Sequence, residues 1–416
     1  MKNRQSWRSN LINVILIIIY FLPCTIYLPF IVSNILTILL STLWIIAIAS
    51  NTLSLSNFKV IGILSIPFLI HLLSLSYSED MGTALYSIEK KLSLLVFPLI
   101  IGSASPFFEK KHFRIIAKAY FITSGFTLLF MLICASLRSI REESFYTLFS
   151  IYEYKQWHFL YTELASYANF HPTYLSLLFL IAIIFRYNTI SRNTLWDYTV
   201  YIFLFLGIVL LMSRIIVLSA ILVSLYLLFA SSKKYQIKFL ILSFIAVLFF
   251  IMFANIDEIG NRFRNLEASF DIKAENHRQW NGLSVRIAEW QSAIDVISEK
   301  PLIGFGIGDA HSVLMEKYLE NGFIYGYRQG YNTHNQYLEY LIGFGFIGLS
   351  LFLGSIVYPL IRLKNNKMLY LSFLIIFCVA FLTEVILGVN KGIVAFSLFQ
   401  SLFVFFDDNF LVDKYE

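Results

Sequence analysis

The sequence predicts an all-α protein that crosses a membrane many times, and three observations predict it. Of 416 residues, 58% are hydrophobic and only 14% charged, with a mean hydropathy of +0.71. A soluble fold of this size could not cover its surface with so few charges. Apolar runs long enough to cross a bilayer recur along nearly the whole chain. Lys and Arg collect in alternate short loops, as the positive-inside rule requires of a polytopic protein.

Taken in order, the apolar runs place about twelve spans: 11–31, 33–50, 58–77, 92–108, 113–136, 170–187, 197–213, 215–231, 237–256, 333–361, 368–387 and 390–407. The first follows Lys2, Arg4 and Arg8, as a signal peptide would. Its length, and the further spans behind it, read as a retained first helix. The chain therefore divides into spans 1–9 over 1–256, a large polar loop over 257–332, and spans 10–12 with a short tail over 333–416. Cys24, Cys134 and Cys378 fall inside apolar runs and read as small buried hydrophobes.

With the N-terminus inside, every short inner loop carries basic residues, among them Lys59, Lys110, Lys111, Arg192, Lys233, Lys234 and Lys364. This distribution accounts for the formal charge of +6 and gives no indication of nucleic acid. The outer face receives the stretches 78–91, 137–169 and 257–332. The first reads as a surface helix leading into span 4. The second is rich in aromatics, including Phe145, Tyr152, Trp157 and Tyr161, which favour the membrane interface. The third carries eight Lys/Arg against eleven Asp/Glu. Within it, Ser284 to Ser298 has helical spacing, with Ile287, Trp290, Ile294 and Ile297 on one face, and Lys300-Pro301 stops the helix.

Chemistry collects on that outer face. Asn332-Thr333-His334-Asn335 opens span 10. A His at a helix start meets a dipole that opposes positive charge, so the imidazole is expected to be neutral and able to accept a proton. Asn335 is placed to orient a substrate hydroxyl. Gly343, Gly345 and Gly348 read as a small-residue packing face. Arg286 shares a helix side with Glu289, and a surface ion pair is the simplest reading of the two. Arg214 is the one charge between two apolar runs and calls for an anionic partner or a snorkelling geometry. Two such arginines suit a phosphate or pyrophosphate. His171-Pro172 opens span 6, where proline fits a helix start and the His is a candidate for the same cavity. Pro301 to Gly308 (PLIGFGIG) lacks the strand and spacing of a nucleotide loop, yet its backbone N–H groups, with Gly306 at the centre, could face a ligand. Glu384 falls inside span 11, and Lys391 follows at the outer turn. No metal-ligand spacing occurs, so neither a metal nor a cofactor is expected.

His334-Asn335, nine residues, Gly345, two residues and Gly348 resemble the H-N-x9-G-x-x-G pattern of the O-antigen ligase family. Arg286, then Trp290, then the run from Pro301 to Gly308 is similar to the same family, as is Ser213-Arg214 at the outer end of a span pair. The motifs cover about 210–350, and the span pattern covers the rest. The resemblance implies a GT-C-like membrane fold and a metal-independent glycosyltransferase in the bacterial inner membrane, with its site on the periplasmic side. It implies a donor glycan on undecaprenyl pyrophosphate and a sugar of lipid A-core as acceptor. His334 would be the base, and Arg214 and Arg286 would hold the pyrophosphate. Asn335, His171, Gly306 and Trp290 would line the substrate. Polymerases that join lipid-linked repeats and protein O-oligosaccharyltransferases share the pattern. No Arg of the large loop is followed by ten residues and a Gly, a spacing some polymerases carry, which leans towards ligase. A transporter would carry ionisable groups deep in several spans, and internal repeats.

Overall fold

A computed structural model describes residues 2–143, 156–190, 194–230, 280 and 282–407. Among these residues there are helices and no strands. Helices α1 (Lys2–Thr25) and α2 (Phe30–Ala49) pack on each other. The third expected span divides at Ser65, just ahead of Pro67, into α3 (Phe58–Leu64) and α4 (Ile66–Ser74). Next come α5 (Met81–Lys91), capped by Asp80, and the 12-residue α6 (Ser93–Ala104), so the expected surface helix leads into a helix within the expected fourth span. The long α7 (Lys110–Glu143) is followed by the short α8 (Tyr161–Ser166), and then by α9 (Pro172–Thr189), α10 (Leu195–Leu210) and α11 (Arg214–Ala230). The expected span 237–256 and residues 144–155 of the aromatic stretch lie outside the described residues.

Among the described residues, five helices are long and apolar enough to cross a membrane: Ser6–Thr25, Phe30–Ala49, Lys110–Arg141, Pro172–Thr189 and Gln336–Arg362. Leu195–Leu210, Arg214–Ala230, Lys367–Ala380 and Asn390–Phe405 are shorter apolar helices. The burial pattern is that of a membrane protein: α2 turns Phe30, Ile31, Ile35, Ile38 and Ile45 outward, which water would penalise and lipid does not. At the centre, Phe373, Phe377 and Phe381 pack edge and face against Phe396. The three cysteines are free and partly buried.

Loops expected on one side of the membrane meet at one end. There Arg8 donates to the Ser50 carbonyl, Asn57 to Ser105, and Asp407 accepts the N–H groups of Lys364, Asn365 and Asn366. Loops expected on the other side meet at the other end. Asp309 accepts the N–H groups of Glu79 and Asp80, Lys91 donates to the Leu387 carbonyl, and Lys391 donates to that of Asn169.

The large loop supplies α12 (Gly282–Glu299), α13 (Ala310–Glu320) and α14 (Ile324–Gln329). They close a second, smaller core from Ala288, Ala293, Val296, Leu314, Tyr318, Phe323 and Ile342. The buried face of α12 differs from the one its large apolar residues suggest. Ala288, Ser292, Ala293 and Val296 are inside; of the expected face Ile297 is buried, whereas Ile294 is 58% exposed. Small residues let α12 lie close to its neighbours, so they take the interior position.

Next is α15 (Gln336–Val357), followed by α16 (Pro359–Arg362), α17 (Lys367–Ala380) and α18 (Asn390–Phe405). Helix α15 is broken at Gly345, whose backbone (φ 62°, ψ −169°) is a conformation open essentially to glycine alone. The glycine loop clips onto the break. Phe305 and Gly306 donate to the carbonyls of Ile342 and Gly343, and Phe346 and Ile347 donate to those of Pro301 and Leu302. The partner of the glycine face is therefore a loop backbone, and a Cβ on Gly345 would lie 2.2 Å from the Leu302 carbonyl carbon. Gly345→Ala should destabilise the protein by roughly 2 kcal/mol or more. The check is its thermal midpoint in detergent, and an unchanged midpoint would refute the clip.

Candidate active site

The site grows from the four residues ahead of α15. Asn335 is the N-cap: its side-chain oxygen accepts from the N–H groups of Tyr337 and Leu338. That duty differs from the one the sequence suggested, because the oxygen that would orient a substrate hydroxyl is occupied by the helix start. Thr333 is fully buried, and its hydroxyl donates to the Asn335 carbonyl and Glu339. Its carbonyl accepts the indole N–H of Trp290 at 3.0 Å. Trp290 thus ties α12 to this turn and is not among the cleft's lining residues. Between Thr333 and Asn335, His334 adopts φ +43°, with its N–H on the Asn332 side chain at 2.8 Å.

The left-handed turn points the imidazole at α12. Both carboxylate oxygens of Glu289 stand 3.0 Å from Nδ1 of His334. A carboxylate only accepts, so Nδ1 carries the proton and Nε2 is the atom left to act. Glu289 has no exposed surface. Burial pushes its carboxyl up, against the pull of His334. His334 is itself raised above the usual imidazole range, first by its bond to Glu289, with burial opposing. The direction expected from the helix dipole is reversed: Glu289 raises the proton affinity of His334 where the dipole would lower it. His334 stands one residue ahead of the cap, and a full carboxylate charge at 3.0 Å outweighs a partial dipole charge. The expected Arg286–Glu289 ion pair is likewise replaced. Glu289 faces His334, and Arg286 is half-buried and donates to the Thr383 carbonyl at 3.3 Å.

A second strap faces this one. Helix α17 stops at Ala380, short of the expected span end, so Glu384 lies in an irregular segment and not within a helix. Gln336 fixes that segment, donating its N–H to the Phe381 carbonyl and accepting from the Leu387 N–H. Between the strap, the start of α9 and the start of α18 lies a cleft of about 370 Å³, whose walls include His171, Tyr174, Asn332, His334, Glu384 and Lys391.

The structure thus brings His334 and His171 to one cavity, with Arg286 and Trp290 beside it. Arg214 is exposed at the first position of α11 and is not among the lining residues, although Ser213 next to it bonds to Thr173, two residues from His171. Gly306 corrects its expectation most clearly. The N–H groups of residues 304 to 308 are all taken by protein acceptors: Lys300, Ile342, Gly343, Ser74 and Ser78. A Cβ at Gly306 would meet Ser78 at 2.3 Å. That loop is a structural clip, not a ligand cradle. Sequence reasoning missed Glu289 as the partner of His334. The available signal was a carboxylate set among small residues that a close-packed helix face would bury. Among the described residues no group of three or more His, Cys, Asp or Glu is gathered as a metal site would need.

Residues 199–353 match a family model described as O-antigen ligase. The matched stretch holds Arg214, Arg286, Glu289, Trp290, Gly306, His334 and Asn335, and it bears out the resemblance those motifs carry. No curated protein matches the chain. Asn335→Ala should cost about 1 kcal/mol of stability through loss of the cap. Asn335→Asp keeps the acceptor and should retain both fold and activity; a folded but inactive Asp variant would restore a substrate role for the amide.

Proposed function

We propose that this chain, which carries an O-antigen ligase family domain, is the ligase of its superfamily. It takes a preassembled glycan from undecaprenyl pyrophosphate and joins it to a sugar hydroxyl of lipid A-core, at the periplasmic face of the inner membrane. The family supports a membrane glycosyltransferase of ligase or polymerase type. The clasp of His334, which lines the cleft, by buried Glu289 supports a transferase with a general base, and the lack of an Arg followed by ten residues and a Gly in the large loop favours the ligase.

The acceptor hydroxyl attacks the anomeric carbon and gives its proton to Nε2 of His334. The bond from that carbon to the pyrophosphate oxygen breaks, and the oxygen leaves with the electron pair. Glu289 holds the ring in one tautomer and steadies the imidazolium that forms, as a carboxylate does behind any catalytic His. Arg286 and Arg214 hold the pyrophosphate and stabilise its growing charge. The leaving group is stable as an anion, so the displacement requires no metal. Asn335 and Trp290 act by fixing the turn on which His334 stands, and His171 borders the acceptor.

A strain lacking this protein is expected to lose the whole lipopolysaccharide ladder while lipid-linked polymer accumulates. Core bearing a single repeat would make the protein a polymerase, and an unchanged profile would remove both readings. His334→Ala, Arg286→Ala and Arg214→Ala should each abolish transfer and leave membrane insertion intact, the His variant by about a hundredfold or more. Near-normal transfer by His334→Ala would end its role as base.

The pH dependence has a definite sign. Glu289 stabilises the imidazolium and holds the His334 pKa above its ordinary value. Transfer, which needs the free base, therefore rises as pH climbs through that raised value. In Glu289→Gln the ascending limb should move to lower pH while the maximal rate falls. A limb that stays in place would count against the clasp.

A further inference from the structure

Resting on the ligase or polymerase reading above, we propose that Lys391 is a further phosphate-binding residue, inside the cleft, which grips the diphosphate of the lipid-linked donor alongside the two arginines. The reaction sets the geometry. The phosphate oxygen is bonded to the carbon under attack, and the hydroxyl that attacks must reach His334. The diphosphate therefore lies within a bond or two of the cavity that His334 lines. Among the described residues that line this cavity there is one lysine and no arginine: the cation is Lys391. Arg286 and Arg214 stand outside that lining, so within the cleft itself the phosphate meets Lys391.

The surroundings of Lys391 hold its ammonium in place. It is the second residue of α18 and is half-buried. Its ammonium sits 3.4 Å from the centre of the Phe170 ring and donates to the Asn169 carbonyl at 3.3 Å. These contacts orient the group without neutralising it. Among the described residues it has no carboxylate within ion-pair distance, although Glu384 lines the same cleft. An ammonium has three donors and the carbonyl uses one, which leaves two for phosphate oxygens. Glu384 is close enough to raise the proton affinity of His334. The cleft thus pairs an acidic end beside the base with a cationic end at Lys391. A sugar hydroxyl suits the first and a phosphate the second.

The test uses the full-length protein in nanodiscs, with undecaprenyl pyrophosphate without a glycan as the probe. Lys391→Gln should weaken its binding and raise the donor KM by roughly tenfold or more, with Lys391→Arg recovering most of both. Unchanged probe affinity in a folded Lys391→Gln protein would overturn the assignment and leave the functional reading standing. Failure of the wild-type protein to bind the probe would overturn the functional reading, and this proposal with it. A second measurement needs no variant. Reductive methylation of Lys391 in the wild-type protein, followed by mass spectrometry, should be suppressed by the probe, and equal labelling with and without it would refute the contact.

Discussion

The structure hangs on a break in one helix. Inside a bilayer an unpaired peptide group is costly, so a span may unwind only where another part of the protein takes up its freed donors and acceptors. Helix α15 unwinds at Gly345, and the loop from Pro301 to Gly308 supplies the missing partners through four backbone hydrogen bonds. Glycine is needed on both sides, since Gly304, Gly306 and Gly345 all have positive φ and all lie against backbone or serine atoms that a Cβ would strike. This clip fixes where α12 ends relative to α15. The distance between Glu289, on α12, and His334, just ahead of α15, follows from it.

The site then rests on charge. Burying a carboxylate is unfavourable unless it is paired and hydrogen-bonded, and Glu289 has no exposed surface. His334 is the partner that makes this burial tolerable, and the carboxylate in return holds a ring that stands on a strained turn. Thr333, Trp290 and Asn335 hold the turn from three directions. The result is a basic nitrogen with one fixed neighbour and one open side. The early end of α17 contributes the opposite wall: the strap from Phe381 to Val389 is tied to Gln336, and it brings Glu384 and the start of α18 to the cavity.

Much of this was legible in the sequence, because it depends on short-range patterns. Apolar runs set the membrane class, the alternation of basic loops anticipated which loops meet at each end, and the polar cluster before a long apolar helix marked where chemistry would gather. Asn335 is an N-cap by residue type alone, since its short side chain reaches the first free N–H groups of the helix that follows it. What the sequence determined is therefore the all-α membrane fold, the family pattern of the His-Asn and glycine motifs, and His334 at a helix mouth. The tertiary structure alone decided who faces whom. Glu289 and His334 are 45 residues apart, and nothing local distinguishes a carboxylate that pairs with the arginine one turn back from one that turns inward to a distant imidazole. The glycine loop looked open to a ligand because its acceptors lie on another element, and Lys391 looked like an outer-turn cation because its cleft is walled by three separate parts of the chain. The reason is physical: helix formation and capping are settled within a few residues, whereas the protonation and partners of a buried polar group are settled by whichever elements packing brings against it.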